Sequence, residues 1–473
     1  MMASNALIPL LAAFDESADF ARGARMRRSQ SDYLRDVWAL SEALPQGRHV
    51  INFCRNRYHF VVGFGASLVT RKISLLPSTR TPAVLNRIEE HYPETFCLHD
   101  GDGLGELCSR DAGQDTPTIA LFPYPTDLGR AHDGTPAMPQ IPVTQTAAYV
   151  FTSGSTGVPQ AHPKLWGSLA ASARAEACAL DLNGQAWALV GTVPSQHMYG
   201  FESLIMLTLQ SSAALWMGHP FYPADIAVVL ESIPRPRMLV TSPAHLRALL
   251  AAQIAYPPLD KLLSATAPLP LEVVQQAEAA FGAPLYEIYG STETGQMASR
   301  RSGKTLLWRL FPQVQIDQRD GESWAHGGHI LQATQLADIV EVKDPEHFAL
   351  IGRSADLINI AGKRSSLAHV NHALLTISGV VDGCMFVPDA SPHLGQEWAP
   401  LPDSTRLCAV VVAPHMNAGQ ILQALRKRLD PAFLPRPIIL VQSLPRNSTG
   451  KIPRDALLEV FRRHQHAGQD SLT

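Results

Sequence analysis

The residues "AAYVFTSGSTGVPQAHPK", 147–164, decide how the rest of the chain is read. "AAYVF" has the composition of a buried strand. From Thr152 the next six residues are all hydroxyl-bearing or glycine, and a proline follows at 159. Glycine lacks the Cβ that restricts the backbone, so such a run can turn successive N–H groups toward an anion. A helix is expected from about Leu165, and strand, anion loop, helix is a phosphate-holding arrangement. The spacing is not that of the G-x-x-x-x-G-K-[ST] loop: Gly154 and Gly157 are three apart, and no lysine follows the second glycine. Neutral Gln160 stands where a charge would help. Taken alone, the same composition also suits a flexible Ser/Gly loop.

A chain of 473 residues exceeds one ordinary core, so two or more domains are expected. An apolar share of 46% and a charged share of 17% describe a soluble globular protein. A net charge of −3 offers no electrostatic attraction to nucleic acid or an anionic membrane. Six cysteines show neither a C-x-x-C nor a framework spacing, which suits thiols of a reducing compartment. The early run "ALIPLLAAF" lacks a basic leader and a cleavage site. No apolar run approaches the length of a membrane span. The expectation is a cytoplasmic, multidomain protein.

Along the chain, helical and strand patterns alternate. "SDYLRDVWALSEALP" opens on a Ser/Asp cap and spaces Leu34, Val37, Leu40 and Leu44 at helical intervals. "GRHVINFC" reads as a strand, "RYHFVVGFGASLVT" as a helix and "KISLLP" as a strand, an order that suggests a parallel α/β unit. The same rhythm returns from "AWALVGTVP" to "AHLRALLAA". Residues 109–142 read as a surface loop. A boundary is expected near Arg353 to Asp356, giving a large domain 1–354 and a small α+β domain 355–473. Within the latter, "LAHVNHALLTI" and "AGQILQALRKRL" read as helices, and "RLCAVVVAP" and "RPIILVQSLP" as strands.

Three further segments carry chemistry. In "LYEIYGSTETG", Tyr289 precedes Gly290 and a Ser-Thr-Glu cluster follows. An aromatic face can stack on a base, a hydroxyl can bond phosphate, and a carboxylate can hold Mg²⁺ between phosphates. Alone this is also an ordinary polar turn. In "LADIVEV…FALIGRSADLINIAGKRSS", Asp338 suits a ribose diol and Arg353 sits at the expected junction; isolated charges are by default surface ion-pair residues. In "LPRNSTGKIPRDAL", Lys451 follows a glycine just before a terminal helix, where a solvated lysine is the plain alternative.

Together these four segments resemble, in order, the motifs of the adenylate-forming superfamily of acyl-CoA synthetases, peptide-synthetase adenylation domains and luciferases. The resemblance runs from "ISLLPSTRTPAVLNRI" to Arg454. It implies an α/β fold, with a large N-terminal adenylate-forming domain and a small mobile α+β C-terminal domain. It also implies ATP and Mg²⁺. Thr152, Ser153, Gly154, Ser155, Thr156 and Gly157 would embrace the phosphates. "SATAPLP" would place Ala265, Thr266 and Ala267 beside adenine, with Tyr289 and Gly290 on its other face. Thr292 would bond the α-phosphate, Glu293 would hold Mg²⁺, and Asp338 with Arg353 would bind the ribose. Lys451 would bridge carboxylate and α-phosphate during adenylation. Rotation of the small domain about Ala355 would then bring Gly362 to a pantetheine tunnel for thioester formation.

The sequence departs from the family pattern at Gln160, where many relatives carry lysine, at Ala355, where Asp or Lys is usual beside Asp356, and at Glu287, where Asn is common. "VPSQHMYGFES" matches the acyl-pocket segment, with His197, Tyr199 and Gly200 as pocket residues and His197 as the gate; a packed histidine is the plain alternative. No aspartate stands there to meet an α-ammonium, so an amino acid is disfavoured. Glu202 either binds a hydroxyl or amine of the substrate or lies outside the pocket. The wording "PSQHMYGFE" and "GKRSSL" resembles the aryl acid:acyl-carrier-protein ligases of aryl polyene and xanthomonadin pathways, which load acids such as a hydroxybenzoate. The basic "LRKRL" would meet an acidic carrier protein or the CoA phosphates, or form a solvated helix face. Two alternatives stand beside that reading: an acyl- or aryl-CoA ligase using free CoA, and a non-catalytic relative that binds nucleotide or carrier protein.

Overall fold

The computed structural model describes residues 6–77, 82–101, 119–125, 127–128, 135–152, 160–319, 322–353, 357–360, 363–388, 406–446 and 452–469. Helix Gln30–Ala43 begins one residue before the quoted stretch, with Ser29 as its cap. The Ser29 hydroxyl accepts from the Asp32 amide, and the Asp32 carboxylate accepts from the Ser29 amide. Strand His49–Asn52, helix Arg57–Val69 and strand Ile73–Leu76 follow as expected, and the two strands pair in parallel. They lie in a six-stranded sheet ordered Gln160–Leu165, Thr146–Thr152, Ile73–Leu76, His49–Asn52, Thr95–His99, Ala120–Pro123. The stretch expected to be loop over 109–142 therefore contributes strands Ala120–Pro123 and Gln140–Pro142; the pairing of Phe96 to His99 with Ala120 to Pro123 supplies what local composition did not.

A second, eleven-stranded sheet carries a parallel centre: Asp19–Arg22, Ala214–Trp216, Ala188–Gly191, Arg237–Thr241, Lys261–Ser264 and Leu285–Ser291. These strands are apolar on both sides because helices cover them, as the burial of Leu189, Val190, Leu239, Val240, Leu262 and Leu263 reflects. Antiparallel strands Gly295–Arg301, Leu307–Leu310, His347–Arg353 and Asp338–Asp344 extend one side. The segment "FESLIMLTLQ" is buried throughout and helical, opening as a π-helix over Phe201–Met206 before an α-turn at Leu207–Gln210.

Arg57 links the two sheets. Its fully buried guanidinium donates to the carbonyls of Gly218, Gly191 (2.8 Å) and Val193 (3.0 Å). Burial lowers its pKa to about 9, and the carbonyl dipoles meet the charge that remains. It thereby holds the chain as it leaves strand Ala188–Gly191 on the way to His197.

The C-terminal part forms a smaller α/β region. Strands Asp382–Phe386, Cys408–Val412 and Ile438–Leu440 make a three-stranded sheet, with helices Leu367–Leu375, Ala418–Arg426 and Arg454–Gln469. Its two apolar clusters draw on residues from Ile358 onward, and those of the larger part on residues up to Phe348. Arg426, Lys427 and Arg428 are exposed between buried Leu425 and Leu429, a solvated face. The five cysteines among the described residues are free thiols. No described helix is long and apolar enough to cross a membrane.

Candidate active site

The quoted stretch has the expected first strand and a helix that starts next to Leu165, but a second strand stands between them. Strand Thr146–Thr152 pairs antiparallel with a second strand, Gln160–Leu165, and helix Trp166–Ala179 starts only after that. Residues 153–159 thus connect a hairpin whose base is the Thr152–Gln160 pair, and the helix N-terminus lies a whole strand away from them. The structures of Ser153, Gly154, Ser155, Thr156 and Gly157, and those of Ala355, Asp356, Gly362 and Lys451, lie outside the described residues.

The second strand explains itself by alternation: Gln160, His162 and Lys164 share one face. That face meets the tip of the Leu285–Ser291/Gly295–Arg301 hairpin. His162 Nε2 lies 3.7 Å from Glu293 Oε1. Lys164 Nζ, 8% exposed, donates to the Thr292 carbonyl and to the Glu293 carbonyl (3.4 Å). Lys164 is therefore buried beneath the Thr-Glu motif. Burial lowers its pKa, and Glu202 and Glu293 partly offset that.

The hairpin tip is shaped by local chemistry. Ser291 Oγ and Thr294 Oγ1 lie 3.2 Å apart, and each hydroxyl accepts the other residue's amide, at 3.1 and 3.2 Å. Gly290 is required where the strands cross closely, because a Cβ there would lie 2.2 Å from the Gly295 carbonyl oxygen. Gly295 sits at φ +73°. The tip presents Thr292 and an exposed Glu293. Burial tends to raise the Glu293 carboxyl, but hydrogen bonds from its own amide and Ser291, with His162 and Lys164 beside it, hold it below the ordinary range.

Adjacent to it, strand Lys261–Ser264 pairs in parallel with Leu285–Ser291 and ends at Ser264, opposite Glu287. Ala265, Thr266 and Ala267 follow, so the two motifs meet at the carboxyl edge of neighbouring parallel strands, where open α/β sheets place their ligands. Thr266 adopts φ +86°, a region a β-branched residue avoids and a conformation typical of functional sites. Tyr289 donates through its hydroxyl to Asp338 Oδ2 at 2.8 Å, with its ring packed near Trp308 and Phe348. Asp338 stands opposite Arg353 in the register of their strands. Residues about fifty apart in sequence are thus gathered on one edge. Glu287 is accounted for structurally: buried, it accepts from Arg300 Nε (2.8 Å), Arg300 Nη2 (2.5 Å) and Ser302 Oγ (2.6 Å), bracing the hairpin.

A cavity of about 350 Å³ opens beside the tip. The segment "VPSQHMYGFES" reaches it through Met198 and Glu202, one helical turn apart; His197, Tyr199 and Gly200, expected as pocket residues, are not among its lining residues. His197 is the N-cap residue of Met198–Gly200, and Gly200 is a packing position, since a Cβ would meet the Pro194 carbonyl oxygen at 2.1 Å. Glu202, 3% exposed, accepts from Ser172 Oγ (3.2 Å) and, more weakly, from the Gln296 amide (3.5 Å). Burial lifts its pKa to about 7 against the pull of Lys164. Behind it Glu176, fully buried, is raised by burial to about 8, and the Gln296 carboxamide joins Glu176 (2.9 Å) to Ser203 (2.6 Å). His329, 5% exposed and also on the cavity wall, is held neutral by burial, then by Lys164, at a pKa of about 4. Glu176, Gln296 and His329 went unassigned at the level of sequence, since their contacts arise only from tertiary packing; the alternation from Gln160 was an available signal for the inward placement of Lys164.

No cluster of three or more His, Cys, Asp or Glu side chains suited to a metal exists among the described residues. A lone exposed carboxylate such as Glu293 matches Mg²⁺ shared with phosphates, which needs only one or two protein ligands.

The sequence profile of the AMP-binding enzyme family matches residues 39–315. The chain is 30% identical over 239 residues to a 4-coumarate–CoA ligase of Rhodobacter capsulatus, a match covering 50% of this chain and 60% of that protein's length. It is 23% identical over 338 residues to a 2-succinylbenzoate–CoA ligase of Staphylococcus epidermidis, covering 65% of this chain and 68% of the relative. ATP-bound MatB from Rhodopseudomonas palustris superposes with a TM-score of 0.77 at 17% identity, over 94% of this chain and 96% of that one. With more than half of the chain inside the matched span, the protein belongs to the AMP-binding enzyme family.

Proposed function

We propose that the protein is an ATP-dependent acid–thiol ligase that adenylates an aryl carboxylic acid and passes the acyl group to a pantetheine thiol. The observation that carries this reading is the gathering of Thr266, Tyr289, Thr292, Glu293 and Asp338 at one carboxyl edge, with the strand that begins at Gln160 packed against it through Lys164. The aryl preference is supported by relatives named for coumarate and succinylbenzoate.

In the first step a carboxylate oxygen attacks the α-phosphorus and pyrophosphate leaves. Anion approaches anion, so positive charge and hydrogen-bond donors are needed at the reacting centre. Thr292 donates to the α-phosphate from a turn anchored by Lys164. Asp338, oriented by the Tyr289 hydroxyl, takes the ribose. Glu293 would hold Mg²⁺, which would supply charge neutralisation at the reacting centre. Lys451 bridges carboxylate and α-phosphate. In the second step the thiol sulfur attacks the acyl carbon, AMP leaves, and a thioester remains. Residues 1–354 hold nucleotide and acid, and residues 355–473 carry Lys451 and, through rotation at Ala355, Gly362. The acceptor is the pantetheine arm of CoA or of an acyl carrier protein, two sources of one chemistry.

The test is acid-dependent pyrophosphate release across aryl, fatty and amino acids, followed by thioester formation with free CoA and with holo carrier protein in parallel. Lys451→Ala is expected to abolish adenylation while sparing thioester formation from supplied acyl-AMP. Equal loss of both steps would remove the role given to Lys451. No release with any acid would remove the ligase reading.

A further inference from the structure

We infer that the cavity beside the hairpin tip is a subsite for a neutral hydroxyl group on the acid substrate, read jointly by the Glu202 carboxyl and His329 Nε2. The inference rests on the acid-adenylating reading above and adds the substituent and the residues that select it.

Three observations carry it. The cavity touches Glu293, Thr294 and Gly295, so it adjoins the motif where the acid would react. Its inner wall is polar although buried: Glu202, Ser172 and His329 are each more than nine-tenths inaccessible. His329 Nε2 has no hydrogen-bond partner among the described residues. It lies 3.7 Å from where a Gly295 Cβ would stand, while Glu202 Oε1 lies 3.0 Å from the same point. Two polar groups from separate elements therefore flank Gly295, and a side chain there would fill the space between them. A buried polar atom without a partner implies something that completes it when the cavity is filled.

The chemistry of the pair selects the group. A hydroxyl has one donor and two acceptor positions, so it can serve Glu202 and His329 together. A second carboxylate would be placed against Glu202, and the buried cation on the cavity wall, Lys164, already donates to two carbonyls. An ammonium would face Lys164. A methyl or methoxy group would leave at least one of the two polar groups unserved.

The experiment measures kcat/KM for acid-dependent pyrophosphate release with the full chain. Matched sets of ring acids carry, at each position, hydroxyl, hydrogen, methoxy or carboxylate. One hydroxy acid is expected to exceed its three counterparts by about 10²-fold or more, as a site built for a hydroxyl rejects analogues lacking it. Glu202→Leu and His329→Leu should each reduce that ratio at least about tenfold, and Glu202→Gln, which still hydrogen-bonds, should keep most of it. If Glu202→Leu fails to fold by its melting curve, His329→Leu decides. Equal rates within each set, or variants that slow all acids alike, would overturn the subsite while leaving the ligase reading intact. Absence of turnover with every acid would instead overturn the ligase reading, and the subsite with it.

Discussion

Glu202 and Glu293 both feel the buried ammonium of Lys164, yet they end in opposite states. Glu202 is 3% exposed, and desolvation outweighs the lysine, leaving its pKa near 7. The Glu293 side chain is 46% exposed, and there hydrogen bonds and nearby positive groups outweigh a smaller burial penalty, so it stays ionised. One cation thus serves two carboxyls of different character: one held below the ordinary range at the exposed hairpin tip and one raised to about 7 on the cavity wall. Access to water, rather than the neighbouring charge, separates them.

The most damaging way to break that contrast is Lys164→Met. It strips donors from two buried-side carbonyls and the counter-charge from both carboxyls. Loss of a buried, partnered cation is expected to cost about 3 kcal/mol in urea unfolding and at least about 10²-fold in adenylation. A variant unchanged in both would make Lys164 a bystander. Glu293→Gln attacks only the exposed partner. Pyrophosphate release should fall by about 10²-fold with the melting temperature almost unmoved, because the side chain is half in water. A matching collapse in stability would show that Glu293 is structural.

The buried side is sharpened by Glu176, whose carboxyl is lifted further still. Its folded pKa of about 8 lies above the ordinary value of 4.5, so its favourable contribution is complete below 4.5 and is lost as pH rises through 8. Glu176→Gln cannot ionise. It should melt like the parent at about pH 5 and above it at about pH 9, by on the order of a few kcal/mol. A pH-independent difference would refute the shift. Smallest of all, Gln160→Lys adds a cation at the exposed end of the His162–Lys164 face. ATP binding should change by no more than about threefold, in the tighter direction, as exposed charges are weakly coupled. A large loss would reveal a specific role for the Gln160 amide.

Local pattern determined much of this protein. Apolar runs bounded by turns located the strands from "GRHVINFC" to "KISLLP", and 3.6-residue periodicity located helices such as Arg57–Val69 and Leu367–Leu375. The Gly- and hydroxyl-rich "YGSTETG" marked a tight hairpin tip, because backbone freedom and small polar side chains are what that turn needs. Tertiary structure decided the rest. Whether "QAHPK" is a loop or a strand depends on pairing with Thr146–Thr152, a contact no window of sequence contains. With that strand in place, alternation drives Lys164 inward beneath Thr292, 128 residues away. The polar wall of the cavity likewise joins Ser172 of helix Trp166–Ala179, Glu202 and His329, each ordinary in its own segment. A side chain's chemistry follows from its burial and partners, and those are set by packing between elements distant in the chain.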